Sequence, residues 1–213
     1  MSRRVLIILL SALAAAVTTP LAAGDGGPAP GFAGGTGVAT RDGRTHYVTV
    51  YGGDGTVVEA IDRHGTVLRY NWLPGNLGIP LVANDGSAGG LTRDGKHLVL
   101  ASYADWPAFT QFAVLKTTSF LAVRNITLNG YWSFDALSPD GRTLYLIQYF
   151  LRQNSQRYLV RAYDLTHGRL YKQPVSDRIE KGTMTGWPVT RATSADGAWV
   201  YTLYLKGSGS AFG

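Results

Sequence analysis

The chain has 213 residues, 20 basic against 14 acidic side chains for a formal charge of +6, and no cysteine. The missing cysteine excludes a disulfide framework, a lipid-bearing cysteine and thiolate chemistry. Arg3 and Arg4 carry two of the six net charges, and the remaining basic residues are scattered, which argues against a nucleic-acid groove.

In chain order the first element is a secretory signal over residues 1–24. Ser2-Arg3-Arg4 is its basic start, Val5 to Val17 an apolar run with one serine, and Thr18 to Gly24 a small, proline-containing end with Ala22-Ala23-Gly24 as the cleavage site. The apolar run is shorter than the roughly 20 residues a membrane span needs, so an uncleaved anchor is the alternative rather than the first reading. Arg3-Arg4 reads as an ordinary basic start, with a twin-arginine signal as the alternative. The protein is expected to be exported, to the periplasm or beyond the cell, and to meet a membrane only through this segment. Residues 25–36 form a Gly/Pro-rich lead-in, and residues 37–213 form the domain.

That domain carries four Asp-Gly turns, at Asp42-Gly43, Asp94-Gly95, Asp140-Gly141 and Asp196-Gly197, spaced 52, 46 and 56 residues apart. Each leads into an apolar or aromatic run: His46 to Tyr51, Leu98 to Tyr103, Leu144 to Tyr149 and Val200 to Leu205. Asp-Gly supplies the positive φ of a tight hairpin. Runs without polar alternation suit strands buried on both faces. A second hairpin follows in three units: Val57–Ile61 with Thr66–Trp72, Phe112–Leu115 with Phe120–Leu128, and Tyr158–Tyr163 with Arg169–Val175. Each unit is thus four antiparallel strands, one before the Asp-Gly turn and three after it. A repeat of this length predicts an all-β fold, a β-propeller of about 3.5 blades, with a β-sandwich as runner-up. The units are expected near residues 34–75, 79–129 and 131–176, with the fourth starting near Trp187. The fourth runs out at Lys206 to Gly213 before its outer hairpin, so the last blade is expected to be incomplete, as in a truncated version of a longer chain, with four-bladed closure and closure by dimerisation as the alternatives.

The segment Ser138-Pro139-Asp140-Gly141-Arg142-Thr143-Leu144-Tyr145 resembles the SPDG repeat of WD40-like, TolB-type propellers. Three further segments, Gly78-Ile79-Pro80 with 85–91, then 134–141, then 188–197, resemble a family of uncharacterised secreted actinobacterial proteins. The resemblance implies a propeller fold, export and members that continue past the last strand here. It carries no activity to transfer.

No reaction is legible. The four histidines, His46, His64, His97 and His167, include two in equivalent outer turns before a glycine. None belongs to a His-Glu-x-x-His motif, so no metal, cofactor or catalytic residue is assigned. The glycine clusters at 52–55 and 85–90 lack a phosphate-loop lysine, and Asn84-Asp85-Gly86-Ser87 reads as a plain turn rather than a calcium loop. Arg152, Arg157, Arg161, Arg169 and Lys172 read as a solvated face. Tryptophans 72, 106, 132 and 187 read chiefly as packing. Trp106, within Asp105-Trp106-Pro107, is the best exposed candidate for stacking on a ligand.

The inner strands are more telling. Five residues before each turn aspartate stand Gly37, Gly89, Asp135 and Arg191. Asp135 and Arg191 therefore occupy equivalent places on neighbouring inner strands and are expected to pair across two blades. They either lock the blades together or, with the two glycines leaving room, form a polar channel mouth. The predicted site is Asp135, Arg191 and Trp106, in a binding or interaction module of the cell envelope. Its partner would be an unidentified small molecule, glycan or envelope protein. A lactonase-like hydrolase and a fragment without its own activity are the alternatives.

Overall fold

The computed structural model describes residues 37–102, 108–150, 157–176 and 184–205. The four Asp-Gly corners fold alike, through a side-chain latch. In the first, Thr40 Oγ1 donates to Asp42 Oδ1 at 2.7 Å, Arg44 N donates to the same oxygen at 3.1 Å, and Thr45 N donates back to Thr40 Oγ1 at 3.1 Å. Thr92 with Asp94, Ser138 with Asp140 and Ser194 with Asp196 repeat it at 2.8, 2.5 and 2.6 Å. The glycines that follow have φ of 66°, 69°, 69° and 70°, a region where a Cβ is strained. The working repeat is therefore Ser/Thr-x-Asp-Gly, and its hydroxyl two residues before each aspartate was available in the sequence alongside the Asp-Gly pair.

Between these corners run antiparallel strands. The first sheet is β1 (Val38–Ala39), β2 (Thr45–Gly52), β3 (Gly55–Asp62) and β4 (Val67–Pro74), in that spatial order. The second is β5 (Leu77–Gly78), β6 (His97–Ser102), β7 (Phe109–Lys116) and β8 (Ala122–Asn129). The third is β9 (Trp132–Leu137), β10 (Thr143–Tyr149), β11 (Arg157–Asp164) and β12 (Arg169–Val175), with β13 (Met184–Thr185) added on β11. The fourth is the pair β14 (Trp187–Thr193) and β15 (Val200–Leu205). Among the described residues there is no helix. The chain is an all-β propeller of four-stranded antiparallel blades, with two strands described in the fourth.

Blades stack face to face. Leu98 and Leu100 of β6 pack toward Tyr47, Val58 and Ala60 of the first blade, while Val99 and Ala101 of the same strand join Phe134, Leu144 and Leu146 of the third. Successive side chains point to opposite faces, so this uninterrupted apolar strand is buried on both sides, as is most of β10. The expectation fails at the two ends of the stack. Val50 on β2 and Tyr201, Leu203 and Leu205 on β15 are exposed, because among the described residues no further blade covers those faces. Among the described residues, the third and fourth blades meet through fewer and more polar groups: Ile147, Tyr149 and Tyr158 with Tyr131 and Tyr204. Trp132 is buried in the core, whereas Trp72 is half exposed on β4.

Two boundaries differ from expectation. The second blade begins at Leu77, and its inner strand is split. Leu77 and Gly78 pair with Ser102 and Ala101, then the chain leaves the sheet and returns at the bridge Leu91 to Leu98. The sequence places Phe120 at the start of a strand. It instead sits in the β7–β8 turn with φ 56°, and β8 begins at Ala122. Its ring is fully buried and meets Tyr47 edge to face at 6.1 Å. Burial of a large ring against the first blade outweighs the backbone cost of a left-handed phenylalanine.

The outer turns are latched by aspartate as well. Asp164 accepts from Thr166 N at 2.9 Å and His167 N at 3.0 Å, and His167 Nδ1 lies 2.7 Å from its other oxygen. The His167 backbone N–H, then its ring, hold the carboxyl down to about 2, from an ordinary 3.8. The corner carboxyls of Asp42, Asp140 and Asp196 are also held low, by the hydroxyl bond first and a backbone N–H second. A carboxyl lowered on folding adds stability that is complete above its unfolded pKa and disappears as the pH falls through the folded value. Unfolding by urea should therefore show a constant midpoint above about pH 5 and a steep fall between about pH 4 and 2. Asp164→Asn should lower the neutral midpoint and flatten that fall. An asparagine variant with an unchanged acid profile would show that another group carries it.

Candidate ligand cup at the centre of the propeller

The inner segments of all four blades wall one cavity of about 640 Å³. Val38 and Ala39 come from the first blade, Gly90 to Thr92 from the second, Phe134 to Leu137 from the third and Thr193 from the fourth. The corners around Arg41, Arg93, Pro139 and Ala195 form its rim. A crevice of about 560 Å³ continues it between the third and fourth blades, past Tyr145, Val160 and Trp199.

The excursion that splits the second blade, residues 79–89, closes the far end. Asn84 N and Asp85 N donate to the carbonyls of Pro188 and Val189 at 3.0 and 3.1 Å, and Thr190 Oγ1 donates to Asp85 Oδ2 at 2.5 Å. Asp85 also holds its own turn, accepting from Ser87 N and Ser87 Oγ. Pro188 to Thr190 lie at the end of β14 remote from its Asp-Gly corner, so this strap crosses from the second blade to the fourth beneath the cavity. Val82, Ala88 and Gly89 line the floor above it. The corners thus lie at one end of the cavity and the strap at the other. The Asn84–Ser87 turn is thus a structural tie, and among the described residues no group of three or more His, Cys, Asp or Glu could hold a metal ion.

Asp135 and Arg191 meet in this wall. Arg191 Nη2 pairs with Asp135 Oδ1 and Nη1 donates to the Asp135 carbonyl. Arg191 Nε donates to Thr202 Oγ1 at 3.0 Å. The side chains are 10% and 17% exposed. A β-bulge explains why Asp135 can offer both oxygens. Leu146 pairs with Phe134 and Tyr145 with Ala136, which leaves Asp135 as the extra residue on β9. A bulged residue leaves the ladder and is re-aimed. Placing the two residues at equivalent repeat positions does not foresee this bulge.

The two glycines of the same register make room for neighbours rather than for a ligand. A Cβ on Gly89 would fall 2.6 Å from the Phe134 ring, and one on Gly37 would collide with the Tyr47 carbonyl at a φ of 72°. Both line the cup, yet close packing is what requires them. Trp106 lies outside the described residues. Arg41 and Arg93, at the rim, were not singled out from the sequence. The signal was there: both stand one residue before a turn aspartate.

No protein-family model matches this chain, and no curated protein matches it. Among solved structures it is similar to hydrazine synthase of Kuenenia stuttgartiensis, at 16% identity and a TM-score of 0.51, over 77% of this chain and 47% of that one. It is also similar to TolB from Acinetobacter baumannii (17% identity, TM-score 0.47, 78% of this chain and 36% of that one). A third similarity is to prolyl oligopeptidase B from Galerina marginata (16% identity, TM-score 0.39, 78% and 24%). The chain spans less than half the length of each of these. At such identities the likeness concerns the fold alone, since one fold hosts many functions.

Proposed function

We propose that this protein is an exported propeller module that binds a small molecule in its central cup. The observation that carries the reading is the cup itself, about 640 Å³, within the ~300–1,000 Å³ typical of ligand sites. Four blades wall it and the 79–89 strap floors it. Export rests on the basic, apolar and small-residue order of residues 1–24. The Ser138-Pro139-Asp140-Gly141 repeat is the basis for placing the chain with SPDG-type propellers. The one carboxylate among the described lining residues, Asp135, is engaged by Arg191.

The test is a thermal-shift screen of the purified chain against neutral sugars, carboxylic acids, phosphate esters and aromatic amines. Ligands bound only by the folded state raise the melting temperature by mass action. At least one class should do so for the natural chain and fail with Ala39→Trp, which fills the cup from β1. Silence across all classes, or a shift that Ala39→Trp leaves intact, would overturn the reading.

A further inference from the structure

We infer that the ligand of the cup is a small anion, a carboxylate or phosphate, clasped between Arg41 and Arg93; this rests on the cup being a binding site. The two arginines hold the same place in the repeat, one residue before the turn aspartate, where the third and fourth blades carry Pro139 and Ala195. Both line the cavity and both are exposed. They reach toward one corner. Arg41 Nη2 donates to the Ala195 carbonyl, and the Arg93 side chain lies against Gly197, its Cδ 3.3 Å and its Nε 3.5 Å from where a Cβ would be. Two guanidinium groups from adjacent blades thus lean over the same rim.

The carboxylates of that rim are already engaged. Asp42, Asp94, Asp140 and Asp196 each accept the hydroxyl and backbone bonds of their own latch. Asp42 and Asp94 also have their own cations two residues on, Arg44 at 3.5 Å and Lys96 at 3.4 Å. The fourth corner carries Ala198 at that position, and Arg93 lends part of its charge to Asp196. Neither Arg41 nor Arg93 forms an ion pair with a carboxylate among the described residues. Inside the cup, Arg191 is neutralised by Asp135. Among the described residues, the lining therefore holds three arginines and one aspartate. Clustered cations in a concave site raise local anion concentration. The planar fork of arginine fits carboxylate and phosphate oxygens two at a time.

Titration calorimetry of the purified chain with citrate and with inorganic phosphate, at matched low ionic strength, tests this. Binding of either supports the inference, and which of the two binds tells carboxylate from phosphate. Arg41→Gln and Arg93→Gln should each weaken it about tenfold, the loss expected for one charged hydrogen-bonding partner. Arg142→Gln, outside the cup, should leave it unchanged, and circular dichroism checks that each variant folds. No binding of either anion, or binding indifferent to Arg41→Gln and Arg93→Gln, overturns the inference. If neutral compounds still raise the melting temperature in a way that Ala39→Trp abolishes, the anion clasp falls while the cup stands as a binding site.

Discussion

Replacing Arg191 by glutamine is expected to destabilise the folded chain by about 3 kcal/mol, at the low end of the range for breaking a buried ion pair. The low end applies because both side chains keep some contact with water, 10% and 17% exposed. Asp135→Asn should cost a similar amount, since either change strands a charge or a carbonyl in the wall between two blades. The pair matters more here than it would between the first and second blades. There, among the described residues, eleven buried side chains form one apolar cluster, whereas three, Ile147, Tyr149 and Tyr158, cluster where the third blade meets the fourth. In a double-mutant cycle followed by urea unfolding, the two changes should show a coupling of about 1 kcal/mol or more. Additive losses would mean that the two residues act separately and that the fourth blade is held by the strap and the tyrosines alone.

Phe120→Ala should be the most damaging single truncation between the first two blades, at about 3–5 kcal/mol for a fully buried aromatic ring. The ring contacts Tyr47 across the blade interface, and the Phe120 carbonyl accepts from Asn71 Nδ2 at 3.4 Å. Its backbone supplies a sharper test than size alone. At φ 56° a side chain carries a left-handed penalty of about 1–2 kcal/mol that glycine escapes. Phe120→Gly should therefore be no less stable than Phe120→Ala despite losing one more carbon, and Phe120→Leu should retain most of the stability. Denaturant midpoints for the three variants give the order directly. If alanine clearly outranks glycine, the turn carries no left-handed strain in solution.

Legibility followed sequence distance. The Asp-Gly corners, the strands after them and the outer hairpins could be placed from residues because their bonds close over two to five positions, as in Thr40, Asp42 and Thr45. Equivalent places in a repeat also put Asp135 and Arg191 on neighbouring inner strands, 56 residues apart. The strap was not legible. Its tie from Thr190 to Asp85 spans 105 residues, and Asn84 to Ser87 read alone is only a turn. Arg41 and Arg93 were not legible for a different reason: an arginine beside a surface turn is usually solvated.

The repeat, the all-β class and the blade length can be read from the residues alone. A hydroxyl–aspartate–glycine latch and uninterrupted apolar strands state their geometry locally, whatever surrounds them. The strap at the far end of the cavity, the bulge that turns Asp135 toward Arg191, and the space that Gly37 and Gly89 yield to neighbours all come from packing between blades. Each of these depends on which blade faces which, and that is settled by packing between residues tens of positions apart. No local propensity encodes it.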